Sequence, residues 1–223
     1  MTITVHKALL PYENGHTNAL VFLPSPERPI ARGLAAFAHG YTSHKDSILS
    51  WAARLAEEGL ATALFDLPGH YLGNFSEVLS FEYFTSHAPK LFSESFKALS
   101  AAIKAHLPLE YDTITDPKSY RLVGGHSLGA LLSLHALELP EISAHPTQGV
   151  CVGLGLPPQG IVHLFDTPFY KSTLALRAQL VSPAIAPEVI LPWIKEDKEN
   201  IAITGQRLHF LTGEDDLVVG KDG

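Results

Sequence analysis

Short, unbroken apolar runs alternate along this chain with longer stretches in which apolar residues recur every third or fourth position. Leu34-Ala35-Ala36-Phe37-Ala38 and residues 61–65 are runs of the first kind. They predict strands covered on both faces of a sheet. Ile48, Trp51, Ala52, Leu55 and Ala56 have helical spacing, with Gly59 as the stop. A second amphipathic helix is predicted over 92–106 through Phe92, Phe96, Leu99 and Ile103, and a third over 128–139. Strands are expected at 120–123, 149–154 and 207–212. Near the start, residues 3–10 and 19–23 read as a hairpin around the polar turn Glu13-Asn14-Gly15-His16.

Two strands followed by repeated strand–helix–strand units predict an α/β fold. The sheet should be mostly parallel, with helices on both faces. Residues 157–205 break the alternation, since they hold Pro157, Pro158, Pro168, Pro183, Pro187 and Pro192 and only short helical pieces such as 172–180. We read them as a cap insertion plus one scaffold helix inside a single domain spanning 1–223. Leu164, Phe165, Phe169, Trp193 and Ile194 gather there and are expected to bear on substrate choice.

The 223 residues are rich enough in apolar side chains for a substantial core. A net charge of −7 with no local Lys/Arg cluster argues against a nucleic-acid surface. No apolar run approaches the ~20 residues that span a bilayer, and the first residues lack a secretion-signal pattern. A soluble, cytoplasmic protein without a membrane partner is expected. Cys151 is the only cysteine, which removes a disulfide framework and a cysteine zinc site. His39 and His44 lack a third ligand, so no metal is expected. Gly153-Leu154-Gly155 is followed by prolines that forbid a nucleotide-binding helix, and no cofactor is implied.

The most informative segment is the strand Tyr120-Arg121-Leu122-Val123 running into Gly124-Gly125-His126-Ser127-Leu128-Gly129 and then a helix. This is G-x-S-x-G in its strand–turn–helix setting, and it makes Ser127 a candidate nucleophile. Gly125 and Gly129 would let the backbone pass close to its neighbours. Acyl transfer also needs two N–H donors aimed at the oxyanion. Leu128, after the nucleophile, would supply one, and Tyr41, in the loop His39-Gly40-Tyr41-Thr42 after an earlier strand, the other. A plain strand-ending turn is the competing reading of that loop. Leu211-Thr212-Gly213-Glu214-Asp215-Asp216 puts carboxylates after a late strand. Asp216 is the preferred partner for a catalytic imidazole, with Asp215 the lesser alternative and a solvated acidic turn the bland one. His39 reads as a loop brace, Asp66 as a group bonding loop amides, and His70 as at most a pocket wall. His126, in the elbow beside Ser127, is expected to point away from a shared base role.

His39-Gly40, Asp66-x-Pro68-Gly69-His70, Gly125-His126-Ser127-Leu128-Gly129 and Gly213-x-x-Asp216 follow one another in an order that resembles the α/β-hydrolase superfamily over nearly the whole chain. The loop from His39 to Lys45 is similar to that of small bacterial carboxylesterases, including cinnamoyl and feruloyl esterases. Tyr71-Leu72-Gly73-Asn74 departs from the Gly-x-Ser that many relatives carry there. The resemblance implies Ser127 as nucleophile, Asp216 as acid and Tyr41 with Leu128 as oxyanion donors. It also implies the chain order Ser, Asp, His, yet none of the twelve histidines follows Asp216. The expectation is that the last helix–strand–helix, with the catalytic histidine, lies beyond Gly223. The reading is a serine hydrolase acting on a small-molecule ester of a small or medium acyl group. Thioesterase, lipase or peptidase activity on the same fold, or a non-catalytic binding protein, are the alternatives.

Overall fold

The structure is a computed structural model that describes residues 3–13, 15–25, 33–112, 116, 118–157, 159–202 and 205–213. Among them run seven strands, β1 (Thr4–Tyr12), β2 (Gly15–Leu23), β3 (Gly33–Ala38), β4 (Leu60–Phe65), β5 (Arg121–His126), β6 (Thr147–Val152) and β7 (Arg207–Leu211). They form one sheet in the order β1-β2-β4-β3-β5-β6-β7. β2 pairs antiparallel with β1 and β4, and every other pairing is parallel. The hairpin is tighter than expected, since Tyr12 pairs directly with Gly15.

β3 and β4 are buried along their whole length, and their side chains divide between two cores. Leu34, Ala36, Ala38, Ala61, Ala63 and Phe65 face the larger one, and Ala35, Phe37, Leu60 and Leu64 the smaller. That period of two explains why these strands read as continuous apolar runs. Helix α1 (Leu49–Glu57) covers the smaller core with Ala52 and Ala56. Helices α2 (Phe81–His87), α3 (Lys90–His106) and α4 (Leu128–Leu137) cover the larger. In α4 every residue but His135 is buried, as a helix apolar on all sides must be. No helix among the described residues is long and apolar enough to cross a membrane.

Several elements differ from the sequence reading. Helix α2 was not anticipated, although Ser80 caps it by accepting a bond from Tyr83 N at 3.1 Å. β6 starts and ends two residues earlier than expected, because Gly153, at φ 61°, turns the chain out of the strand. Within 157–205 the helices are α5 (Pro168–Ser172), α6 (Leu174–Gln179) and α7 (Pro187–Asn200). The prolines there do not all interrupt helix. Pro187 starts α7, where its missing N–H costs nothing, and Pro192 lies inside it. This region is fastened to the loop after β4 by Tyr71 N to Leu180 O and Ser182 N to Gly69 O. β7 is the sheet edge among the described residues, with Phe210 and Leu211 exposed.

Candidate active site

Ser127 stands between β5 and α4 with φ 51° and ψ −111°, a conformation strained for any residue with a side chain. It is held there from both sides. Its N–H donates to Val152 O at 2.9 Å, and its carbonyl accepts from Leu131 N at 3.0 Å. The flanking glycines are required by close approach. A Cβ on Gly125 or Gly129 would collide with the carbonyl oxygen of Ala38, and one on Gly125 also with the backbone of Gly129. The turn is therefore pressed against the end of β3, which brings the next loop to the serine. A Cβ built on Gly40 would lie 3.4 Å from Ser127 Cβ.

Among the described residues, the backbone N–H groups of Tyr41 and Leu128 have no acceptor within the chain. They are thus open to a ligand oxygen. The Tyr41 hydroxyl donates to Ile185 O at 2.9 Å, tying the loop to the segment 157–205. The next residue, Thr42, is at φ 58°. A cleft of about 420 Å³ opens here, lined by Tyr41, Ser127, Leu164, Phe165, Tyr170 and Ile194 among others, a size that suits a small ligand.

The histidines distribute as follows. His39 is fully buried, with Nδ1 donating to Gly40 O at 2.8 Å and Nε2 accepting from Leu67 N at 2.9 Å. Those two bonds define a neutral ring that braces the Tyr41 loop, and burial pushes its pKa down to about 3. Asp66 does bond a loop amide, Lys45 N at 2.8 Å, and also pairs with Lys45 Nζ at 2.8 Å. His70 is not a pocket wall. It is wholly buried, edge-on to His39 and Tyr41, and burial likewise pushes it down to about 3. His135 pairs with Asp197 at 2.7 Å, and His209 bonds Gln148 at 2.9 Å.

His126 lines the cleft beside Ser127, with its ring against Gly40 and Gly153, and desolvation lowers its pKa. Among the described residues no hydrogen bond joins it, or any other of the twelve histidines, to Ser127. Asp215 and Asp216 lie outside the described residues. Among the described residues no group of three or more His, Cys, Asp or Glu could hold a metal ion. The apolar residues gathered in 157–205 divide, since Leu164, Phe165 and Ile194 line the cleft. Trp193 instead packs on Phe81 and His135, and Phe169 is 76% exposed. Arg177 and Tyr170 also line the cleft, and the only sequence signal of Arg177 is a cation inside the apolar stretch Leu174-Ala175-Leu176-Arg177-Ala178.

A mixed sheet in this strand order, with a strained serine between a strand and a buried helix, defines the α/β-hydrolase fold. A family model described as the alpha/beta hydrolase family matches residues 35–217, and the chain belongs to that family. Among curated proteins none matches this sequence. Solved structures resemble it at low identity. A 2-hydroxy-6-oxo-6-phenylhexa-2,4-dienoate hydrolase from Rhodococcus sp. strain RHA1 is 16% identical, with a TM-score of 0.53 over 99% of this chain and 85% of its own. An esterase from Pyrococcus furiosus is 16% identical, with a TM-score of 0.55 over 99% of this chain and 73% of its own. A bottromycin epimerase is 13% identical, with a TM-score of 0.51 over 95% of this chain and 82% of its own. At such identities the likeness concerns the fold alone, and the epimerase illustrates that this fold carries more than one chemistry.

Proposed function

We propose that this protein is a serine hydrolase that cleaves carboxylic esters of small or medium acyl groups, in the manner of the small bacterial carboxylesterases. The observation that carries the reading is the strained backbone of Ser127 at the wall of a cleft, beside two unpaired N–H groups, Tyr41 and Leu128. In this reading Ser127 Oγ attacks the ester carbonyl carbon while an imidazole takes its proton. The negative charge that develops on the carbonyl oxygen is met by the two N–H groups. The C–O bond then breaks, the alcohol leaves with the proton, and water releases the acid from the acyl-enzyme. Asp216 is proposed to orient that imidazole. The region 157–205 acts as the cap over the pocket, within one domain.

The absence of a hydrogen bond between Ser127 and any described histidine favours one second reading, a protein that binds in the cleft without turnover. One experiment separates the two. In the native protein an organofluorophosphonate probe should label Ser127, and Ser127→Ala should abolish labelling. The same variant should lower kcat on p-nitrophenyl butyrate by ~10⁴-fold or more. A probe that labels Ser43 or Ser133 instead, or no serine at all, would remove the hydrolase reading.

A further inference from the structure

We propose that Arg177 is the anion-binding residue of this cleft, and that the ester cleaved there carries a second, free carboxylate. The inference rests on the reading of Ser127 as the nucleophile of an ester hydrolase.

Arg177 projects from α6 into the cleft that holds Ser127. Its position is set by neutral groups only. Nε donates to Thr173 Oγ1 at 2.9 Å, Nη1 donates to Thr42 Oγ1 at 2.8 Å, and the guanidinium lies 4.3 Å from the centre of the Tyr170 ring. Among the described residues no carboxylate comes within 4.0 Å of it, although the chain as a whole carries a net charge of −7. Among the described residues that line the cleft it is also the only side chain with a permanent charge.

A half-buried cation held by hydroxyls and an aromatic face is a poor arrangement for stability alone, because its charge is partly desolvated and meets no carboxylate among the described residues. It is a good arrangement for receiving an anion. A guanidinium has five N–H donors, and with two engaged, three are left over for a ligand. Its planar fork matches a carboxylate, and stacking on Tyr170 limits the freedom lost on binding. Two ends of an ester could carry that carboxylate, the acyl chain or the alcohol, and both fit the same recognition chemistry.

A competing account is that Arg177 only ties α6 to the Tyr41–Thr42 loop through Thr42. Such a tie would act on neutral and anionic esters alike, whereas an anion site changes their ratio. The test therefore compares kcat/KM for matched pairs in the native protein. On the acyl side the pair is 4-nitrophenyl hemiglutarate against its neutral methyl ester. On the alcohol side it is 4-acetoxybenzoate against methyl 4-acetoxybenzoate. The expected result is a preference for the anion in one pair. Arg177→Met should lower that ratio by roughly tenfold or more, through KM, and Arg177→Lys by less. Thr42→Val, which removes the tie and keeps the charge, should leave the ratio in place. No anion preference in either pair, or a ratio indifferent to Arg177→Met, overturns the inference and leaves the esterase reading standing. Calorimetric titration of glutarate into Ser127→Ala, with and without Arg177→Met, reads the anion site without turnover. Arg177-dependent binding in a protein that hydrolyses no ester would sink the hydrolase reading alone, and binding indifferent to Arg177 would sink the anion site.

Discussion

A methyl group at Gly129 would run into the carbonyl carbon and oxygen of Ala38 and the carbonyl oxygen of His39. None of these can swing aside as a side-chain tip could, because all belong to the end of β3 and its loop. The same close approach puts Gly40 against Ser127, so stability and site geometry share one contact. Gly129→Ala should therefore cost about 1–3 kcal/mol, the usual range for overpacking a tight interior. It should also displace Ser127 from the Tyr41 loop. Urea unfolding followed by fluorophosphonate labelling checks both. A variant as stable and as reactive as the parent would show that the elbow is looser than its contacts suggest. Ser127 pays for its strained φ and ψ through bonds to Val152 and Leu131, and a cost of order 1–3 kcal/mol is the ordinary size of such strain.

At the scale of elements, the segment 157–205 is tied to the rest of the molecule by bonds that include Tyr41 to Ile185, Arg177 to Thr42, Tyr71 to Leu180 and Ser182 to Gly69. Its aromatic residues play different parts. Phe165, next to the short turn that Thr167 closes with a bond to Leu164 O, faces the cleft. Trp193, on α7, fills the space between Phe81 of α2 and His135 of α4. Phe165→Ala should then shift kcat/KM toward longer acyl chains across a series of p-nitrophenyl esters, with little change in Tm. Trp193→Ala should lower Tm and leave the chain-length profile as it was. The reverse pattern would mean that α7, not the segment before α5, forms the acyl wall.

The whole molecule carries two imidazoles in its interior, His39 and His70, both pushed by burial down to about 3. The unfolded chain binds protons at the ordinary histidine value of 6.5, whereas the folded chain keeps both rings neutral until about pH 3. Their neutral form thus favours the fold above pH 6.5, and that stability is lost as pH falls through the window below it. The slope is up to about 1.4 kcal/mol per pH unit for each ring. His70 offers the clearer test, since its Nε2 has no partner among the described residues while Nδ1 meets Pro68 O. The urea midpoint should drop between pH 7 and pH 4, and His70→Phe should flatten that drop. An unchanged slope in the variant would show that His70 does not titrate between folded and unfolded states.

Much of this architecture was legible in local patterns. Unbroken apolar runs marked β3 and β4 because both sheet faces are covered, and Gly-x-Ser-x-Gly marked the turn because steric contact at Ala38 admits no side chain. His39 as a brace and Asp66 as an amide acceptor also followed from their place at strand ends. Such features depend on chain geometry over a few residues, which the sequence determines directly. Other features exist only where distant segments meet. Arg177 reaches Thr42 across 135 positions of sequence, His126 turns toward the cleft because Gly40 and Gly153 leave room for its ring, and His70 disappears under Tyr41 and Phe84. Pro192 stays helical because α7 is held by Ile190, Leu191 and Ile194 in the core. In each case the deciding quantity is the space left by other elements, and no periodicity along the chain encodes it.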